Sequence, residues 1–193
     1  MPRVPLTTFI DFTVAQDTTR VALARASEDQ YDPRRDFYKG LRERTVRQFV
    51  DGWDAAAFRR SLREIKNPQK QTSYEACRLG LTQWARGQTI TASRARGASF
   101  WEAGGLEVRV NPELRLTVDG TRFMAKLYFK ADELTRVRRK NMLFLLAETA
   151  PHGVRAAILD ARRGQLITED EPDPALDARL ALDAAAFSAL LAT

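Results

Sequence analysis

The chain has one cysteine, Cys77, and one histidine, His152, in 193 residues. A single cysteine excludes an internal disulfide and any multi-cysteine zinc site. A single histidine excludes the usual histidine-built metal clusters. No apolar run approaches the ~18 residues of a membrane-spanning helix. The first residues, MPRVPLTTFIDF, lack a basic start followed by a long apolar core and a small-residue cleavage site, so a secretory signal is not expected. A cytoplasmic location is expected. Glycines are few, and neither Gly97 nor Gly104-Gly105 sits in a phosphate-cradling or dinucleotide-binding pattern. Lysine is scarce too: 6 Lys against 25 Arg.

The hydrophobic share, 44%, is enough for a sizeable core. The net charge is +6, and its placement is uneven. Residues 66–167 carry 18 basic and 9 acidic groups, a net of +9. Residues 168–193 carry one basic and six acidic groups, a net of −5. A basic body with an acidic tail suits an anionic partner such as DNA or RNA, with the tail competing for the basic surface. The same balance also suits ordinary solvated charge.

Apolar spacing organises the first half into helices. Leu6, Phe9 and Ile10 fit a helix capped by Thr7 or Thr8, although Ile10, Phe12 and Val14 also alternate as a strand would. Asp32-Pro33 predicts a helix start, with Phe37, Leu41, Phe49 and Val50 as its core stripe and Gly52 as its end. Asp54 caps another helix through Phe58, Leu62 and Ile65. Tyr74, Cys77, Leu81 and Trp84 mark a fourth. Residues 88–99, small and polar, read as a loop or linker with at most a short strand.

The second half changes period. Leu106, Val108 and Val110, then Leu114, Leu116 and Val118, then Phe123, Ala125, Leu127 and Phe129 alternate with polar residues. That predicts three strands with one packed and one solvated face. Asp119-Gly120 is a two-residue hairpin signal, because both residues accept positive φ. It sets Val118 opposite Thr121, Leu116 opposite Phe123, Leu114 opposite Ala125 and Glu113 opposite Lys126. Asp132 and Glu133 then open a helix to about Glu148. Residues 154–160 form a buried strand, ARRG a turn, and QLIT its partner. Residues 169–177 make an acidic connection, and 182–192 a terminal helix. The expected class is α+β: an N-terminal helical portion over 1–66, then a small mixed sheet flanked by helices over 67–193, as two parts or as one single domain.

The order helix, three strands, helix, strand over residues 68–160 resembles the α-β-β-β-α-β core of the restriction-endonuclease-like (PD-(D/E)XK) nuclease superfamily. That resemblance implies an acid at the second strand and an acid-x-Lys on the third. The carboxylates would hold magnesium or manganese and the lysine would position water. Glu113 falls at the first acid and Lys126 at the lysine. Met124 stands where the second acid belongs, and a thioether is a poor ligand for a hard cation. Either a carboxylate comes from elsewhere, with Glu107 and Glu102 as candidates, or the scaffold persists without catalysis. Taken as residues alone, Glu113 and Lys126 also fit a surface cross-strand ion pair contributing ~0.2–1 kcal/mol.

The candidate nucleic-acid contacts are Arg94, Arg96, Arg109, Arg115, Arg122, Lys126 and Lys130, with Tyr128 to stack a base, then Arg136, Arg139 and Lys140 on the following helix. His152 reads as a loop residue, Cys77 as a small buried hydrophobe, and Trp53, Trp84 and Trp101 as core. The leading expectation is nucleic-acid binding on a nuclease-like scaffold with catalysis altered or lost. A metal-dependent nuclease with a relocated carboxylate and a subunit that docks an acidic protein are the alternatives.

Overall fold

A computed structural model describes residues 1–26, 36–168 and 173–192. The elements are β1 (Arg3–Pro5), α1 (Leu6–Thr13), α2 (Asp17–Ala26), α3 (Lys39–Val50), α4 (Ala55–Leu62), α5 (Pro68–Ala85), β2 (Ile90–Arg94), β3 (Ser99–Ala103), β4 (Leu106–Val110), β5 (Leu114–Val118), β6 (Thr121–Tyr128), α6 (Arg136–Glu148), β7 (Arg155–Asp160), β8 (Gln165–Ile167) and α7 (Leu176–Leu191). The class is α+β, with helices packed on mixed sheets. No helix among the described residues is long and apolar enough to cross a membrane. The helix start expected at Asp32-Pro33 lies outside the described residues.

Local chemistry sets several boundaries. Asp54 caps α4 by accepting from the Ala56 and Ala57 amides at 2.8 and 3.1 Å. Asn67 does the same for α5, with Pro68 in the first turn, where no amide is missed. Thr135 accepts from the Arg138 amide and starts α6. Asp132 and Glu133 therefore precede that helix and do not open it. Ahead of α1 the cap is Pro5, with no side-chain cap bond, so neither Thr7 nor Thr8 serves. Ile10 and Phe12 are buried on a helix, and their strand-like alternation is incidental.

Five strands form one sheet in the order β2-β5-β6-β7-β8. Asp119 and Gly120 hold φ of 48° and 85°, the two positive values a tight hairpin needs. The β5–β6 register is the expected one: Leu114↔Ala125, Arg115↔Met124, Leu116↔Phe123, Val118↔Thr121. β6 pairs in parallel with β7 after the α6 crossover. The segment 88–99, expected as a loop or linker with at most a short strand, supplies the short strand β2, which pairs with β5 through Ile90↔Val118 to Arg94↔Leu114.

The first of the three expected strands belongs elsewhere. β4 leaves that sheet and forms a second one, β1-β4-β3. Its inward residues Leu106, Val108 and Val110 pack with Phe9, Phe12, Trp101, Leu145 and Phe187. A second core gathers Leu41, Phe49, Phe58, Cys77, Leu81, Leu114, Leu116, Phe123, Ala125 and Leu127 beneath α3, α4 and α5. β6 lies between the two. Every residue from Phe123 to Tyr128 is buried, so its second face is not solvated.

Candidate functional site

Glu113 precedes β5, and Pro112 before it has no amide to extend the ladder. The Glu113 amide donates to the Ala125 carbonyl at 3.1 Å, the last step of that pairing. Its side chain then turns back. Oε2 accepts from the Leu127 amide at 2.8 Å, in the place a strand carbonyl would take. Oε1 accepts from Lys126 Nζ at 2.7 Å. Nζ also donates to the Asn111 carbonyl at 2.9 Å and approaches Asn111 Oδ1 at 3.4 Å. The three ammonium hydrogens thus face three acceptors.

Two further charges complete this clasp. Arg42 Nε of α3 lies 3.5 Å from Glu113 Oε1, and Arg42 Nη1 donates to Asp36 Oδ2 at 2.8 Å. Glu113 thus lies between two cations, Lys126 and Arg42, and Arg42 also meets Asp36. The Lys126 and Glu113 side chains are 9% and 10% exposed, so the expected surface pair is a nearly buried one. Here the desolvation cost is large, and the acceptors facing the Lys126 ammonium and the donors facing both Glu113 oxygens offset it. Arg42, Asp36 and Asn111 were not singled out from the sequence. No local spacing links residue 36 or 42 to residue 113.

Glu107 does not join this group. It lies on β4, in the other sheet, where Arg3 Nε binds its Oε2. Glu102 faces Glu107 across β3 and β4. Among the described residues no three His, Cys, Asp or Glu side chains gather where they could hold a metal ion. Met124 is buried, with Ala156 as its neighbour on β7. One carboxylate already engaged by Lys126, Arg42 and an amide, beside a thioether, does not fit magnesium or manganese.

The register places Thr91, Ser93, Arg115, Thr117, Arg122, Met124, Lys126 and Tyr128 on one face. That face divides. At Met124, Lys126 and Tyr128 of β6 and at Ile158 of β7 it is buried. Over β2, β5 and the start of β6, Thr91, Ser93, Arg115 and Arg122 are exposed and Thr117 half-buried. Arg115 has no ion-pair partner among the described residues, and Arg122 donates only a long 3.4 Å bond to the Gly153 carbonyl. Arg94 pairs with Leu114 and so points to the other face. Arg96 is exposed beyond β2, and Arg109 is exposed on β4. Tyr128 is buried, and its hydroxyl donates to the Asp132 carbonyl at 2.6 Å. Burial, with Asp160 nearby, pushes its phenol pKa up. It has no free ring face for a base, which corrects the stacking expectation. Arg136 is exposed and Arg139 half-buried, both without ion-pair partners among the described residues. Lys130 lies 3.9 Å from Asp11, and Lys140 lies 3.7 Å from Asp173.

His152, the tryptophans and Cys77 lie apart from the clasp. His152 is exposed in the turn between α6 and β7. Trp53 stacks on Phe49 at 4.6 Å between ring centres, while Trp84 and Trp101 are buried. Cys77 is fully buried, its thiol facing the Phe129 carbonyl at 3.6 Å, and burial pushes its pKa up to about 12. The free thiol's value is ~8.5. As pH rises through ~9, the unfolded chain loses a proton that the folded chain keeps, so this group lowers stability progressively toward pH 12. At pH 8 the folded protein is expected to resist iodoacetamide and to label rapidly once unfolded in urea. Mass spectrometry of the time course checks this, and rapid native labelling would contradict it.

No protein-family model matches the chain, and a search of curated proteins gives no match.

Proposed function

We propose that the chain binds nucleic acid through phosphate contacts, on a nuclease-like scaffold that does not catalyse cleavage. The observation that carries this reading is the uncovered part of the five-stranded sheet. Arg115 and Arg122 stand there among the hydroxyls of Thr91, Ser93 and Thr117, with no carboxylate paired to either arginine among the described residues. Unpaired guanidinium groups beside hydroxyl donors suit phosphate oxygens, and they read no base edge.

The scaffold reading draws support from chain order within that sheet. α5, β2, β5, β6, α6 and β7 follow the helix, three strands, helix, strand order, with the β3–β4 hairpin inserted after the first strand. The loss of catalysis rests on the clasp. Glu113 and Lys126 neutralise one another and close a strand end, and Met124 offers no oxygen.

Fluorescence anisotropy with labelled single-stranded and duplex DNA and RNA at two salt concentrations tests the reading. Binding is expected at low salt, with weak sequence preference and a steep fall as salt rises. Replacing both Arg115 and Arg122 by alanine should reduce the logarithmic salt slope by about 1.5, since each lost phosphate contact removes ~0.7–0.9. Circular dichroism confirms that the variant folds. No binding at low salt would overturn the reading and favour an acidic protein as partner. Cleavage in magnesium, lost on Glu113→Gln, would overturn the non-catalytic part.

A further inference from the structure

Five cations crowd the end of β6 and the first turns of α6: Lys130, Arg136, Arg138, Arg139 and Lys140. One carboxylate reaches two of them. Asp11 Oδ1 lies 3.1 Å from Arg138 Nη2, and Asp11 Oδ2 lies 3.9 Å from Lys130 Nζ. Asp132 and Glu133, just before the helix, are exposed and without an ion-pair partner among the described residues. Asp11 thus comes from far along the chain to stand between two cations of this group.

Its position is firmly held. The flanking Ile10 and Phe12 are at most 1% exposed. Two residues on, Thr13 Oγ1 accepts from Asn141 Nδ2 at 2.9 Å, and Asn141 is itself buried in α6. α1 is therefore held to α6 by core packing and a part-buried hydrogen bond. These contacts join the two helices in addition to the ion pairs. Both are partly exposed, Asp11 at 32%, Arg138 at 31% and Lys130 at 53%, so a polyanion can reach the same cations.

We propose that Asp11 is an internal competitor of the polyanion for Arg138 and Lys130, setting how tightly the start of α6 binds phosphate. This rests on the phosphate-contact reading above. It adds a second contact region and names the residue that attenuates it. Because a rigid helix presents Asp11, the attenuation is a constant property of the fold and needs no movement.

The test compares Asp11→Asn with the wild-type chain by anisotropy on a labelled single-stranded DNA, at low and moderate salt. Asparagine keeps the shape and one acceptor, and circular dichroism verifies the fold. Glu102→Gln is the control. It makes the same charge change on an exposed β3 residue of the other sheet. Asp11→Asn should tighten binding about threefold or more and steepen the salt slope by up to ~0.7, the value of one added phosphate contact on a single strand. Glu102→Gln should do much less. Adding Arg138→Gln to Asp11→Asn should remove most of the gain. If the wild-type chain binds no DNA at low salt, the phosphate-contact reading fails and this inference with it. If the wild type binds, and Asp11→Asn matches Glu102→Gln or weakens binding, the inference alone is overturned.

Discussion

Replacing Lys126 by methionine is expected to destabilise the fold by about 3 kcal/mol, the cost of breaking a buried pair from one side. The lysine's contacts with Glu113 and Asn111 are lost, and the Asn111 carbonyl loses its 2.9 Å donor. Glu113 keeps the Leu127 amide and the more distant Arg42, so its charge is only partly compensated. Glu113→Gln should cost less, because the amide oxygen still accepts one donor. The double variant should lose less than the sum of the two, by roughly 1–3 kcal/mol, since the side chains share one network. Urea denaturation of the four proteins measures all of this. A loss below ~1 kcal/mol for Lys126→Met would restore the picture of an exposed pair.

The second large effect falls on Gly80, inside α5. A β-carbon built there meets the Ala161 carbonyl oxygen at 2.3 Å and that of Arg162 at 2.5 Å. Both are backbone atoms and cannot rotate away. The approach is mutual: Gly164, at φ 61°, comes within 2.4 Å of the Gly80 carbonyl if it gains a β-carbon. Alanine is the better helix former by ~1 kcal/mol, so on a free helix face Gly80→Ala would stabilise. Here α5 and the β7–β8 turn touch backbone to backbone, and overpacking should win by about 2 kcal/mol net. The midpoint of thermal or urea unfolding decides the sign. A variant as stable as the parent would mean that the turn can retreat at little cost.

The hairpin was legible because two residues carried it. Asp119-Gly120 fixes the turn, the turn fixes the register, and alternation fixes the faces. What alternation does not tell is which faces are covered. From Phe123 to Phe129 only Lys126 carries a charge, and a run so apolar belongs to a central strand covered on both sides. Read as a two-faced strand, it left Lys126 and Tyr128 in solvent, whereas both are buried. Alternation is equally silent about partners. Nothing in Leu106–Val110 says that it pairs with Arg3–Pro5 and Ser99–Ala103 and not with Leu114–Val118. Strand β2 was hidden for another reason: Ile90 and Ala92 are weak inward residues in a polar setting. Arg42 and Asp36 complete the clasp from about seventy residues away, a separation that only tertiary structure closes. Asp11 was missed because its helix reads as ordinary core.

The inserted hairpin bears on the order in which the sheet can assemble. β5 and β6 meet across a two-residue turn, while β2 meets β5 only after the chain has travelled through residues 95–113 and made a hairpin for another sheet. Joining ends across that longer path costs about 2 kcal/mol more chain entropy than the tight turn, by the logarithmic dependence on loop length. The β5–β6 ribbon is thus the economical nucleus. β2 arrives late, onto a strand already paired on its other side, and completes the uncovered face carrying Arg115. The region proposed to hold the partner would then be among the last parts of the chain to take shape.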